Sequence, residues 1–243
     1  MGCILKGGGG LYARLRIGAV LLAAGEGSRM GGLPKCLLSL AGVPLINRHL
    51  IAMSGAGIDE VVVVTGYYHQ QIEPAVETFP VTIVRNPAPE QGQQSSVRLG
   101  IEALGSKFDI VIVALADQPL VGSAELTELI GAFKKRAPGT SIVYPEVQGQ
   151  RGNPVLFAGE LIGEMLEGGQ AVACRKYIDS HPQQVHVYQT DNDRFVIDLD
   201  APEDIAAFEK RTGWKLAMPA AANAAAAPAA QPVAAVASTT VTR

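Results

Sequence analysis

Residues 17–30 read Ile17-Gly18-Ala19-Val20-Leu21-Leu22-Ala23-Ala24-Gly25-Glu26-Gly27-Ser28-Arg29-Met30, a continuous apolar run that breaks into glycines and then a cation. Such a run is the pattern of a strand buried on both faces. The glycines that end it let backbone N–H groups close around phosphate oxygens, because no side chain blocks the approach. Two familiar phosphate loops fail on spacing. After Gly25 and Gly27 the next glycine is Gly31, one residue late for the dinucleotide fingerprint, and Lys35 follows Pro34 rather than a glycine, which excludes the Walker pattern. Arg29 and Lys35 supply the positive charge that a triphosphate requires, the more so as charge accumulates on its oxygens during transfer.

Outward from this loop, short β-branched runs alternate with amphipathic stretches, the signature of an α/β fold with helices packed on a mostly parallel sheet. Residues 61–65, 81–85 and 110–116 are further buried strands, and Ile46, Leu50 and Met53, then Val97, Ile101 and Leu104, then Leu126, Leu129, Ile130 and Phe133 recur at helical spacing. Residues 141–145, 153–157, 185–188 and 195–197 are expected as later strands, some antiparallel because their connections are short. Residues 1–16, with four consecutive glycines, are expected as a flexible leader, 17–216 as one domain, and 217–243 as a disordered Ala/Pro-rich tail.

The 243 residues are 48% apolar, enough for a real core, and the formal net charge of −3 leaves no basic surplus for a polynucleotide backbone. The phosphate ligand is therefore expected to be a small molecule, with no nucleic-acid partner. The alanine-rich tail lacks the hydrophobicity of a membrane span. Cys3, Cys36 and Cys174 are unpaired in spacing and fit a reducing cytoplasm. Cys36 reads as a small buried residue, and the four histidines as packing or surface residues without metal-ligand spacing.

Asp117 follows the apolar run 111–116, which puts a carboxylate at the carboxyl end of a central strand, where open α/β sheets bind ligands. One or two carboxylates there, together with nucleotide phosphate, suffice for Mg²⁺. Asp198, after residues 195–197, is the second carboxylate. Asp200-Ala201-Pro202-Glu203 reads as a helix N-cap with proline in the first turn. Ser95 or Ser96 is placed to cap the helix that carries Val97.

Taken in order, Leu22-Ala23-Ala24-Gly25, Arg29-Met30-Gly31, Pro34-Lys35, Gly92-Gln93-Gln94-Ser95-Ser96, Asp117-Gln118-Pro119, Gly152-Asn153-Pro154 and Asp198-Leu199-Asp200 with Pro202-Glu203-Asp204 resemble the motifs of the MobA-like nucleotidyltransferases. The likeness is closest to the molybdenum cofactor cytidylyltransferase branch and runs from about residue 17 to 210. It implies a single Rossmann-like domain with a mixed, mostly parallel sheet. It also implies a Mg²⁺-dependent enzyme that transfers CMP from CTP to a molybdopterin-type cofactor and releases pyrophosphate.

On that resemblance Arg29, Lys35 and Asp117 are catalytic, and Asp117 and Asp198 hold the metal. Leu22, Ala23, Ala24, Gly25, Gly27, Lys35, Thr65, Gly66, Gln93 and Ser95 hold the nucleotide, and the double alanine goes with cytidine. Gly152, Asn153 and Pro154 line the acceptor pocket, and a molybdenum hydroxylase would receive the product. Residues 168–175 lack the acid usual in this branch, which leaves a sugar or polyol phosphate open as the acceptor. A non-catalytic cofactor carrier is the alternative of another class.

Overall fold

The computed structural model describes residues 14–167 and 174–218. The glycine run of the leader, residues 168–173 and the tail beyond 218 lie outside them. In chain order the elements are β1 (Ile17–Ala23), β2 (Ser39–Leu40), β3 (Val43–Pro44), α1 (Leu45–Gly55), β4 (Glu60–Thr65), α2 (His69–Val76), β5 (Thr82–Arg85), α3 (Gln93–Leu104), β6 (Ile110–Leu115) and α4 (Ser123–Lys134). There follow β7 (Ile142–Val147), β8 (Gln150–Arg151), β9 (Val155–Ala158), α5 (Leu161–Glu167), α6 (Cys174–Ser180), β10 (Val185–Gln189), α7 (Pro202–Thr212) and β11 (Leu216–Ala217).

The main sheet has the order β10-β7-β9-β6-β1-β4-β5, with β8 paired to β7. β1 runs parallel to both β4 and β6, whereas β9 is antiparallel to β6 and β7. All seven residues of β1 are buried, as a strand covered by helices on both faces must be. Alternate side chains of β1 feed two cores. Ala19 and Leu21 pack with Ile46, Ile72 and Leu129 of α1, α2 and α4, while Val20 and Leu22 pack with Val97, Ile101 and Met165 of α3 and α5.

A third cluster of Met30, Leu38, Leu40, Leu45, Leu199 and Phe208 joins the segment after β1 to α7. It is roofed by the small sheet β11-β2-β3, in which Ala217, expected to begin the tail, pairs with Ser39. This cluster fixes the glycine-rich loop against the C-terminal acidic segment.

Three local expectations are corrected. Residues 195–197 do not form a strand: Asp193–Val196 is a 3-10 turn, and Phe195 is drawn fully into the core beside β7. Neither serine caps α3, whose N-cap is Gly92 at φ 91°; both hydroxyls instead accept from the Asn86 amide, at 2.8 and 2.9 Å. Helix α7 is capped at Ala201, where the Asp204 carboxylate accepts from the N–H groups of Asp200 and Ala201.

His49, on the inner face of α1, is 2% exposed and leaves both ring nitrogens without a hydrogen-bond partner. Burial, aided by the Arg48 charge and opposed by the nearby Gln118 backbone, pushes its pKa down to about 4. The folded state thus holds neutral imidazole, and between the ordinary value near 6.5 and about 4 only the unfolded chain takes up the proton. Stability contributed by neutral His49 is expected to be lost as pH falls through that window, by about 3 kcal/mol. Urea unfolding at pH 7 and pH 4.5 should show a smaller loss in His49→Leu than in the wild type. Parallel losses would contradict this.

Candidate active site

The loops that leave β1 and β6 depart in opposite directions along the sheet, β1 toward β4 and β6 toward β7. A cleft of about 470 Å³ opens at this divergence, above the carboxyl ends of the strands. Leu22, Ala24, Gly25 and Glu26 line it at and after the end of the central strand β1, and Asp117, Asp198 and Asp200 line it on the β6 side. Tyr67, Pro89, Glu90, Gly92, Gln93 and Ser96 line the other. A smaller adjoining hollow is bounded by Ala23, Lys35, Cys36 and Asp117.

The loop is shaped by Gly27, which sits at φ 62° where a Cβ would lie 2.3 Å from the Leu33 carbonyl oxygen. No other residue fits there without moving the 27–33 segment. The Gly27 carbonyl accepts from Met30 and Gly32, closing the turn that presents Arg29 outward and Lys35 inward. Gly66 brings the end of β4 against the same loop, since a Cβ there would approach the Ala24 oxygen to 2.7 Å.

Lys35 Nζ lies 2.8 Å from Asp117 and 2.7 Å from Asp200, with 14% of its side chain exposed. Burial by itself lowers the pKa of Lys35, but the Asp117 and Asp200 carboxylates outweigh it and hold the value above the ordinary one. The hydrogen bond from Lys35, with the Lys35 and Arg29 charges, depresses Asp200 despite its partial burial. Arg29 also pairs with Asp200, at 3.2 Å, but is 74% exposed. Burial, then the Asp200 and Asp117 charges, raise the pKa of Asp198. Oδ1 of Asp117 is buried without a partner.

Asp200 is therefore a member of the charged cluster and not a helix cap. Its sequence signal, the place before Ala-Pro-Glu, is identical for both roles, and only the fold separates them. Asn86 was also missed: it ties the 86–96 segment by bonding Ser95, Ser96 and the N–H of Ala88. A lone asparagine after a strand carries no signal for this.

The other expected residues divide. Leu22, Ala24, Gly25, Gln93, Asp117 and Asp198 line the cleft, and Ala23 and Lys35 the adjoining hollow. Thr65 is fully buried and its hydroxyl donates to Glu73 at 2.9 Å, so it does not reach the cleft. Ser95 is likewise engaged, donating to the Gly92 carbonyl, and Ser96 takes its place in the lining. Gly152, Asn153 and Pro154 are outside the lining. The Asn153 N–H donates to the Phe195 carbonyl at 2.9 Å, and a Cβ on Gly152 would strike that same oxygen. Gln118 donates to it from the third side at 3.1 Å. These motifs meet at Phe195 and hold the turn that leads to Asp198. Cys36 is buried, and burial first, then Asp117, push its thiol up to about 12, as a packing residue and not a nucleophile.

The fold is that of a nucleotidyltransferase. The chain belongs to the MobA-like NTP transferase domain family, whose model matches residues 19–186. A nucleotidyl transferase from Methanothermobacter thermautotroptrophicus is 25% identical, with a TM-score of 0.67 over 81% of this chain and 97% of that one. Rv0371C from Mycobacterium tuberculosis H37Rv, in complex with manganese, shares the fold at 22% identity and a TM-score of 0.63, covering 82% and 100% of the two chains. The bifunctional protein GlmU of Mycobacterium marinum is 33% identical over an aligned stretch of 134 positions that covers 51% of this chain and 27% of that protein. The chain spans less than half the length of the GlmU relatives it matches. Among the described residues no helix is long and apolar enough to cross a membrane.

The depressed pKa of Asp200 means that its stabilising effect is present above the ordinary carboxylate value and is lost as pH falls through the lowered one. Asp200→Asn is expected to flatten the acid limb of a stability-versus-pH curve below pH 4. At neutral pH it should cost no more than about 1 kcal/mol, because the carboxylate is partly solvated. An unchanged acid limb in urea titrations would show that the pair with Lys35 does not form in solution.

Proposed function

We propose that this enzyme transfers CMP from CTP to a molybdopterin-type molybdenum cofactor with release of pyrophosphate. The observation that supports the reading is the pairing of Lys35 with Asp117 and Asp200 next to a cleft that the glycine-rich loop lines through Leu22, Ala24, Gly25 and Glu26. The preference for CTP rests on Ala23-Ala24, and the acceptor on resemblance to the cytidylyltransferase branch.

The residues fit a divalent ion. Oδ1 of Asp117 is buried and unpartnered, and Asp198 is an acid whose negative form gains from a nearby cation. Among the described residues no cluster of three or more His, Cys, Asp or Glu could hold a metal unaided, which suits Mg²⁺, an ion that keeps waters and phosphate among its ligands. When bound on Asp117 and Asp198, the ion would neutralise charge on the donor phosphates.

An acceptor phosphate oxygen forms a bond to the α-phosphorus of CTP as the bond to the β-phosphate oxygen breaks, and pyrophosphate leaves with the electron pair. Lys35 and Arg29 face the charge that develops on that leaving group, and the loop from Leu22 to Gly27 orients the donor phosphates by backbone N–H groups. Gly152 and Asn153 act on the acceptor indirectly, by fixing Phe195 and through it Asp198.

Pyrophosphate release in the presence of Mg²⁺, measured with CTP, GTP, ATP and UTP against a panel of acceptors, tests both choices. CTP with molybdopterin-bound molybdenum is expected to support turnover, and release driven by a sugar or polyol phosphate alone would overturn the acceptor assignment. Asp117→Asn should lower kcat by about 10²-fold or more. A variant with undiminished release would remove Asp117 from the chemistry, and a wild type that binds acceptor without turnover would be a carrier.

A further inference from the structure

We infer that Tyr67 and Glu90 read the nucleobase, with Glu90 selecting a base that carries an exocyclic amine, which makes the cleft favour cytosine over uracil. The inference rests on the proposed use of the cleft for a nucleoside triphosphate and names the residues that set its donor specificity.

The cleft is chemically divided by the strand order. Asp117 follows β6 on one side of β1, and Tyr67 follows β4 on the other, with the 86–92 segment after β5 beyond it. Phosphates belong at the end of Asp117 and Asp200, against which Lys35 and Arg29 are held from the adjoining side, so a base linked to them extends toward the Tyr67 end. The two adjacent tyrosines behave differently. Tyr68 is anchored, its hydroxyl donating to the Glu26 carbonyl at 2.7 Å, whereas Tyr67 lines the cleft and remains 41% exposed. An aromatic ring left open at the mouth of a cleft offers a stacking surface to any planar heterocycle.

Glu90 stands on the short 3-10 turn Pro89–Gln91 and lines the same end. Among the described residues it forms no hydrogen bond or ion pair. Among the described residues, no lysine or arginine lines the end of the cleft formed by Tyr67, Pro89, Glu90 and Gln93. Burial first, then the Glu26 and Glu90 charges, raise the pKa of the Tyr67 hydroxyl, in keeping with carboxylates close to the ring. An ionised carboxylate only accepts hydrogen bonds, so this end of the cleft calls for a donor. Cytosine presents an amine at the position where uracil presents a carbonyl oxygen, and that oxygen would face Glu90 without a proton between them.

Calorimetric titration of the full chain with CTP and with UTP, in Mg²⁺ and without acceptor, tests this. The wild type is expected to bind CTP at least about 10-fold more tightly than UTP, within the range of one good base contact. Glu90→Gln should abolish or invert that ratio, because the amide can donate to the uracil oxygen. Tyr67→Ala should weaken both nucleotides by about 10-fold and leave their ratio intact, and Tyr67→Phe should recover most of the loss. A CTP preference that survives in Glu90→Gln, a wild type that does not discriminate, or Tyr67→Ala binding both nucleotides as tightly as wild type would overturn the inference. A wild type that prefers CTP yet releases no pyrophosphate with any acceptor would sink the transferase reading while leaving base selection intact. One that binds neither nucleotide overturns both.

Discussion

A mostly buried lysine held between two carboxylates sets the requirements for the rest of the site. Removing the Lys35 ammonium from water is costly, and Asp117 and, more weakly, the partly solvated Asp200 offset that cost from hydrogen-bond distance. The two acids come from segments 83 residues apart, by subtraction of their numbers, so the fold must bring both to one lysine. It does so in three ways. Strand β6 is registered against β1, the Phe195 carbonyl gathers donors from Gln118 and Asn153, and the third hydrophobic cluster fastens Met30 and Leu38 to Leu199 and Phe208.

The same arrangement explains why motifs scattered through the chain belong together. Asp117-Gln118, Gly152-Asn153 and residues 195–198 converge on one backbone oxygen, and the glycine at 152 is required because a Cβ would occupy the space of that oxygen. Their joint role is to fix the direction of an acidic segment. Glycine 27 does the corresponding work on the cationic side, where its positive φ lets the chain fold back on Leu33.

Where local pattern and burial coincide, the sequence is legible. The unbroken apolar runs of β1, β4 and β6 and the helical spacing of α1, α3 and α4 are each determined by short-range periodicity, and the strand-end position of Asp117 follows from them. The family motifs point to Lys35 and Asp198 by resemblance. What stays hidden depends on partners distant in the chain. Phe195-Val196-Ile197 has a strand's composition, yet the backbone is spent on bonding Gln118 and Asn153 and so turns instead. Asp200 has a cap's context, but Asp204 satisfies the helix N-terminus and frees it for Lys35. Helix α2 is short, polar at its start and contains Pro74, and its buried side is only Ile72 and Val76, one helical repeat apart and too few to announce it.

The affinity of the ligand-free protein for Mn²⁺, measured by electron paramagnetic resonance in the wild type and in Lys35→Met, tests the central pairing most directly. If Lys35 neutralises the two carboxylates as the structure describes, its removal leaves them uncompensated, and the ion should bind about 10-fold more tightly or better. Equal or weaker Mn²⁺ binding in Lys35→Met would contradict the account, since the ammonium would then not be competing with the ion for Asp117.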